Sequence, residues 1–345
     1  MAMDRGPRVM LGLCTTVLVA AALYAGEDLF APVVFSLFII ALVWPTQNRL
    51  ERFMPRGVAL LLTVLGTFAI TGGLVILVVW AFGHIGQWMV ANTGRLQALY
   101  ASRTAWLESH GVEVAGLLSE HFDMRWLLRV FQTLTGTLQV FMTFATITLI
   151  LTLLGLLEVA TTRDRIVAMA RGSAGAGSML AACRMLSGKL RRYMLVRTAM
   201  SVLTGLTIWA FASSVGLELA AEWGVMAFVL NYIPVIGPLM ATTLPTIFTV
   251  LQFETWESAL LVFAVLNVIQ FAVGSYLEPR VAGAALAISP FIVLVTVFAW
   301  AALWGIAGAF IGVPLVIVTL SFCEQFEGSR WVSELLSGRK HSETA

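Results

Sequence analysis

Of the 345 residues, 59% are hydrophobic and only 12% are charged, with a net charge of +2. A soluble domain carries about 25% charged residues, so this composition excludes a soluble globular protein and implies an all-α, polytopic integral membrane protein. So small a net charge gives no basic surface for nucleic acid. The three cysteines, Cys14, Cys183 and Cys323, are too scattered for a disulfide framework or a metal motif.

Val9 to Ala25 is the first apolar segment. It follows Arg5 and Arg8 as a signal peptide would, but no cleavage site is evident, so a retained span is expected. Gly26-Glu27-Asp28 reads as a tight turn, and Leu29 to Trp44 as a second span with Pro32 in its first turn. Arg49, Arg52 and Arg56 then place a loop, and with it the N-terminus, on the cytoplasmic side. Gly57 to Phe82 runs outward, and Gly72-Gly73 permits a close contact or a bend. Between His84 and Arg125, Ile85, Trp88, Met89, Leu96, Leu99 and Tyr100 recur at helical spacing, which predicts an amphipathic helix on the membrane or on a neighbouring subunit. His110 and His121 match no metal template there, so no metal site is expected. Trp126 to Leu157 returns inward; its threonines can bond carbonyls of their own helix. The basic segment that follows, with Arg163, Arg165, Arg171, Arg184, Lys189, Arg191 and Arg192, reads as a cytoplasmic anchor on membrane lipids. Gly172 to Ser178 within it reads as a hinge; it lacks the Lys-Ser/Thr ending of a nucleotide loop.

Leu195 to Val215 is a fifth span, and beyond it the pattern breaks. Trp223 to Leu230 and Leu239 to Leu251 are each too short to span, and Pro234, Gly237, Pro238 and Pro245 interrupt them. They predict two half-helices meeting at Asn231-Tyr232-Ile233-Pro234, as a re-entrant hairpin or as one broken span. A second such unit, Ala284 to Trp304 and Ile306 to Phe322, joins at Trp304-Gly305, with Pro290 and Pro314 as interruptions and Gly305, Gly308 and Gly312 as small packing faces. Paired interrupted segments are the sequence sign of a transporter's binding site, because freed carbonyls and half-helix ends hold ions and polar groups. Between the two units, Asn267, Gln270 and Gly274 fall on one stripe that Glu278 continues. Pro279 predicts a helix break at Glu278, with Arg280 as the carboxylate's charge partner. About eight membrane segments result, including broken or re-entrant helices. The divisions are 1–56, an N-terminal hairpin and loop; 57–157, the third and fourth spans with the outer segment; 158–193, the basic segment; 194–323, a transport core; and 324–345, a cytoplasmic tail. The topology closes if the first broken unit opens outward and the second inward.

The strings NYIPVIGP and LEPRVAG, followed by ISP and WAALWGIAGAFIGVPL, resemble the autoinducer-2 exporter family of bacterial membrane proteins. Asn231, Pro234, Gly237 and Pro238 match one motif; Leu277, Glu278, Pro279, Arg280 and Gly283 match another; Pro290, Gly305, Gly308 and Pro314 match the segments after it. The resemblance implies a multi-pass inner-membrane protein that exports a small polar signalling molecule or exchanges sodium for protons. It also implies a homo-oligomer, in the form of a pentamer. Val235 and Ala284-Ala285 depart from the family pattern near the presumed substrate region.

Four readings follow. In the leading one the chain is a secondary exporter of a small polar solute, without ATP or any cofactor. Asn231 and the Ile233–Pro238 break then supply backbone coordination, Asn267 and Gln270 line the path, and Glu278 binds a proton or cation beside Arg280. In the second it is a Na⁺(Li⁺)/H⁺ antiporter in which Glu278 titrates. An intramembrane enzyme would need paired aspartates or a Ser-His or zinc motif within the spans, but the aspartates and histidines lie outside or beside them. A scaffold protein would need no broken helices.

Overall fold

The computed structural model describes residues 5–95, 97–98, 124–170, 174–282 and 288–325, with 331 and 336. The described chain is helical throughout. Helix α1 spans Arg5–Ala25, α2 Glu27–Leu50, α3 Arg56–Ala91, α4 Met124–Ala170 and α5 Ala174–Ser214. Then come α6 (Ala220–Leu230), α7 (Ile236–Phe253) and α8 (Trp256–Gln270). A π-helical stretch, Phe271–Leu277, leads into α9 (Glu278–Ala282), and α10 covers Pro290–Gln325. Among the described residues seven helices are long and apolar enough to cross a membrane, and α1 and α6 add shorter apolar helices.

Several boundaries differ from the sequence reading. Helix α2 begins at Glu27 and runs through Pro45, so Pro32 lies beyond its first turn. Helix α3 has 36 residues, about 54 Å, because no breaker separates its apolar part from the amphipathic residues up to Ala91. Leu96, Leu99 and Tyr100 of the predicted amphipathic helix lie outside the described residues, as do His110 and His121. From Ala174 onward the expected hinge is the start of α5, where Ala174, Ala176, Ala181 and Ala182 favour helix. Among the described residues nothing lies within 4 Å of a Cβ placed on Gly72 or Gly73, so the pair makes no close contact there.

The chain forms two compact units. The first comprises residues 1–67, 144–194 and 282–345, and the second residues 68–143 and 195–281; the sequence division at 194–323 is thus shared between them. In the first unit, α1 and α2 pack against α10. The Phe35 ring meets Phe144 edge-on at 5.0 Å and stacks on Phe310 at 5.8 Å, joining α2, α4 and α10. Lys189 on α5 pairs with Glu324 at the end of α10, at 2.7 Å. Helix α10 is itself a hairpin. Its backbone leaves the helical region at Trp304 and Gly305, where Gly305 takes φ 58°, a conformation open to glycine. The second arm folds back along the first: a Cβ on Gly308 would fall 1.8 Å from the Trp300 carbonyl oxygen, and one on Gly312 would meet Thr296 and Trp300. Glycines let the two backbones touch. The turn is held by the Trp304 indole, which donates to the Leu23 carbonyl at 3.0 Å.

In the second unit, α6 packs on α7 and α7 on α8. A core of Ile208, Trp223, Ala227, Phe248, Val262 and Leu266 joins α5 to these helices. Gln252, near the end of α7, accepts from the Glu218 N–H at 2.8 Å and donates to the Gly216 carbonyl at 2.9 Å. The start of α6 and the end of α7 are therefore neighbours, and the pair is a hairpin rather than one broken span. At 11 residues, about 16 Å, α6 reaches only halfway through a bilayer core of about 30 Å.

Candidate functional site

Helix α5 buries one polar stripe. Arg197, Ser201 and Thr204 are spaced four and three residues apart, which puts them on one face, and their exposures are 6%, 0% and 0%. The apolar stripe continues at Ile208 and Ala212. The second unit thus has an apolar layer toward the open end of the α6–α7 hairpin and a polar layer toward its tip.

The polar layer centres on an ion pair. Arg197 Nη1 donates to both carboxylate oxygens of Glu278, at 2.6 and 2.7 Å. The two side chains are 8% and 20% exposed. A buried guanidinium and carboxylate at this distance compensate each other, and removing either one strands the other. Among the described residues Arg197 Nε has no hydrogen-bond partner, and neither do Thr204 Oγ1 and Gln270 Nε2.

The hairpin tip docks on the same stripe. The Tyr232 hydroxyl donates to Thr198 Oγ1 at 2.9 Å, and Asn231 Nδ2 donates to Ser201 Oγ at 3.2 Å. After Pro234 the backbone turns sharply. Val235 takes φ 67° and ψ −58°, and the Ile236 N–H reaches the Pro234 carbonyl at 2.8 Å. This is a γ-turn at a β-branched residue, a strained arrangement of the kind found at functional sites. Gly237 makes the turn feasible, since a Cβ there would lie 1.9 Å from the Leu230 carbonyl oxygen.

Glu278 reaches Arg197 without a break. Its backbone is helical, at φ −55° and ψ −49°, and α8, the π-helical stretch and α9 are continuous. The expected break at Pro279 is absent because the wider π turn gives the proline ring the room an α turn denies. That turn also re-aims the residues after it. The predicted stripe divides already within α8, ahead of that turn: Gln270 is buried, while Asn267 is exposed and bonds the Phe263 carbonyl of its own helix at 2.8 Å. Arg280 is not the partner of Glu278. It is exposed, with its guanidinium 3.9 Å from the Tyr276 ring centroid. The true partner, Arg197, lies 81 residues away in sequence. Its signal was its isolation: it is the one charge in the apolar run from Leu195 to Val215.

Of the other expected residues, Asn231, Pro234, Gly237 and Pro238 form the tip of the first hairpin, with Gly237 and Pro238 in the first turn of α7. Pro290 is the first residue of α10, where its missing N–H costs nothing. Pro290, Gly305, Gly308, Gly312 and Pro314 belong to the first unit, not to the unit holding the ion pair. Gly283 lies outside the described residues. No group of three metal-binding side chains occurs among the described residues.

Among the described residues, seven long apolar helices, two helical hairpins and a buried charge pair define a polytopic membrane protein with interrupted helices. Residues 13–328 match the AI-2E family transporter description, and the chain belongs to that family. It is 28% identical over 340 residues to the AI-2 transport protein TqsA of Escherichia coli K12, covering 96% of each chain. It is also 34% identical over 151 residues to the putative transport protein YhhT of the same strain, covering 44% of this chain and 43% of that one. A putative transport protein of Borreliella burgdorferi is 31% identical over 163 residues, 45% of each chain.

Proposed function

We propose that this protein exports a small polar solute across the bacterial inner membrane, driven by an ion gradient rather than by ATP. The observation that carries the reading is the Arg197–Glu278 pair, buried in a span and adjoining the tip residues Asn231 and Tyr232 through Thr198 and Ser201. An intramembrane charge pair is costly and marks a pathway, and here it adjoins the interrupted tip of the α6–α7 hairpin. Side-chain hydrogen bonds from Asn231 and Tyr232 hold the tip to α5, and displacement of the tip would expose the donors of the polar layer to a solute. Arg197 Nε, Gln270 Nε2 and Thr204 Oγ1 are the groups that such a solute would engage. The name of the TqsA relative points to an autoinducer-2-like solute as the first candidate. The protein works among membrane lipids with both termini cytoplasmic, and as a homo-oligomer, for which a pentamer is the form that the family resemblance implies. It requires no cofactor and performs no enzymatic step.

The test is flux from liposomes that hold purified protein and are loaded with autoinducer-2, with the Glu278→Gln variant alongside. Protein-dependent release lost in the variant supports the reading. A parallel set carries a pH-sensitive dye and receives Na⁺ or Li⁺ outside. Cation-driven proton movement without solute release would replace export with antiport through Glu278. In that alternative a cation must displace Arg197, whose Nη1 lies within 2.7 Å of both Glu278 oxygens.

A further inference from the structure

Two polar side chains are buried where the polar and apolar layers of the second unit meet. On α5 the buried stripe runs through Thr204, Ile208 and Ala212, a turn apart; on α8 it runs through Gln270, Leu266 and Val262. Ile208, Ala212, Leu266 and Val262 belong to one apolar core. Thr204 stands one turn from Ile208, and Gln270 one turn from Leu266, each on the side toward the Arg197–Glu278 pair. The two helices therefore run antiparallel and bring Thr204 and Gln270 to one level. Helix rise gives the same answer, since each lies roughly 10–12 Å from its own helix's member of the pair.

Neither side chain bonds its own backbone as its neighbours do. Thr207 on α5 donates to the Leu203 carbonyl at 2.7 Å, and Thr249 on α7 donates to the Pro245 carbonyl at 2.7 Å. Asn267 on α8 donates to the Phe263 carbonyl. Among the described residues, Thr204 Oγ1 and Gln270 Nε2 have no such partner, although the two residues are only 0% and 8% exposed. A buried hydroxyl or amide left dry is destabilising, and bound water is its usual relief where two or more polar groups converge. The donor set suits water. The amide N–H donates, and the hydroxyl both donates and accepts. The amide N–H repels a cation, and neither group carries the charge that would hold an anion.

We propose that Thr204 and Gln270 form a water-binding site between α5 and α8. The water accepts from Gln270 Nε2 and shares a hydrogen bond with Thr204 Oγ1. It closes the polar layer against the apolar core one turn beyond. The site belongs to the resting protein and does not depend on the export reading. If export is confirmed, this water is what a solute oxygen displaces at the end of the polar layer.

Thermal unfolding of the purified full chain in detergent, without solute, is compared for the wild type, Thr204→Val, Gln270→Met and the double variant. Each replacement nearly keeps the side chain's shape and removes its polar atoms. Groups left dry are better removed, so dry groups predict single variants that melt higher. A shared water reverses the sign. Each single variant should melt a few degrees lower, because the remaining group and the water lose a partner, and the double variant should recover most of the loss. Radiolytic hydroxyl labelling then separates a water from a direct bond between the two side chains. Leu266, 1% exposed, should be modified in the wild type by radicals formed on the adjacent water, and several-fold less in the double variant. Ile311, 1% exposed in the first unit, is the buried reference. A single variant that melts at or above the wild type would overturn the proposal. So would additive losses in the double variant, or wild-type labelling of Leu266 no greater than that of Ile311.

Discussion

Arg197 and Glu278 set the energetics of the second unit at the residue scale. Each is tolerable in its place only because the other is 2.6 Å away. Replacing Arg197 alone with methionine should cost about 3–5 kcal/mol, since Glu278 then keeps a buried charge without a partner. Replacing both, Arg197→Met with Glu278→Leu, should restore much of that stability, because two apolar side chains need no compensation. Thermal unfolding in detergent reads the first part and solute flux the second: the double variant is expected to be stable and inactive. A double variant no more stable than the single one would show that the pair is not the source of the loss.

At the scale of the element, both hairpins depend on glycine in the same way. Gly237 lies against the Leu230 carbonyl and Gly308 against the Trp300 carbonyl, with no room for a methyl group in either place. Alanine at either position must push the arms apart, since the obstructing atoms are backbone and cannot rotate away. Gly237→Ala and Gly308→Ala are expected to lower the yield of folded protein sharply. Gly72→Ala, where among the described residues nothing lies within 4 Å of the new Cβ, should be neutral or slightly stabilising through helix propensity. Size-exclusion profiles of the three variants give the comparison. If Gly72→Ala were the most damaging, the glycine contacts would not be what holds the hairpins closed.

For the molecule as a whole, the solvent is the deciding fact. Large apolar side chains such as Leu61, Ile70 and Ile76 on α3 are exposed along the helices, and only lipid or further subunits can cover them. By the positive-inside rule the arginines of the 49–56 loop and of the 163–192 segment are expected on the cytoplasmic side. The open end of the α6–α7 hairpin is then expected to face outward. In a background with Cys14, Cys183 and Cys323 replaced by serine, Thr255→Cys should react with a membrane-impermeant maleimide added to intact cells. Thr255 is exposed and caps the start of α8, so labelling should not disturb the core. Reaction only after permeabilisation would invert the topology.

Composition alone determined the class, because a chain that is 59% hydrophobic has no aqueous fold to adopt. Local chemistry determined the two interruptions, since proline and glycine act on the residues next to them wherever the chain goes. What local chemistry could not settle was partnership across distance. Arg280 is two residues from Glu278 and was the natural partner by sequence, yet the π-helical stretch points Glu278 toward Arg197 and leaves Arg280 on Tyr276. The Gln252 contacts that make the first broken unit a hairpin join residues 34 and 36 apart. The His84–Glu222 pair joins residues 138 apart. Side-chain reach is a few ångströms and is blind to sequence separation, so these pairings were fixed only when the helices had packed.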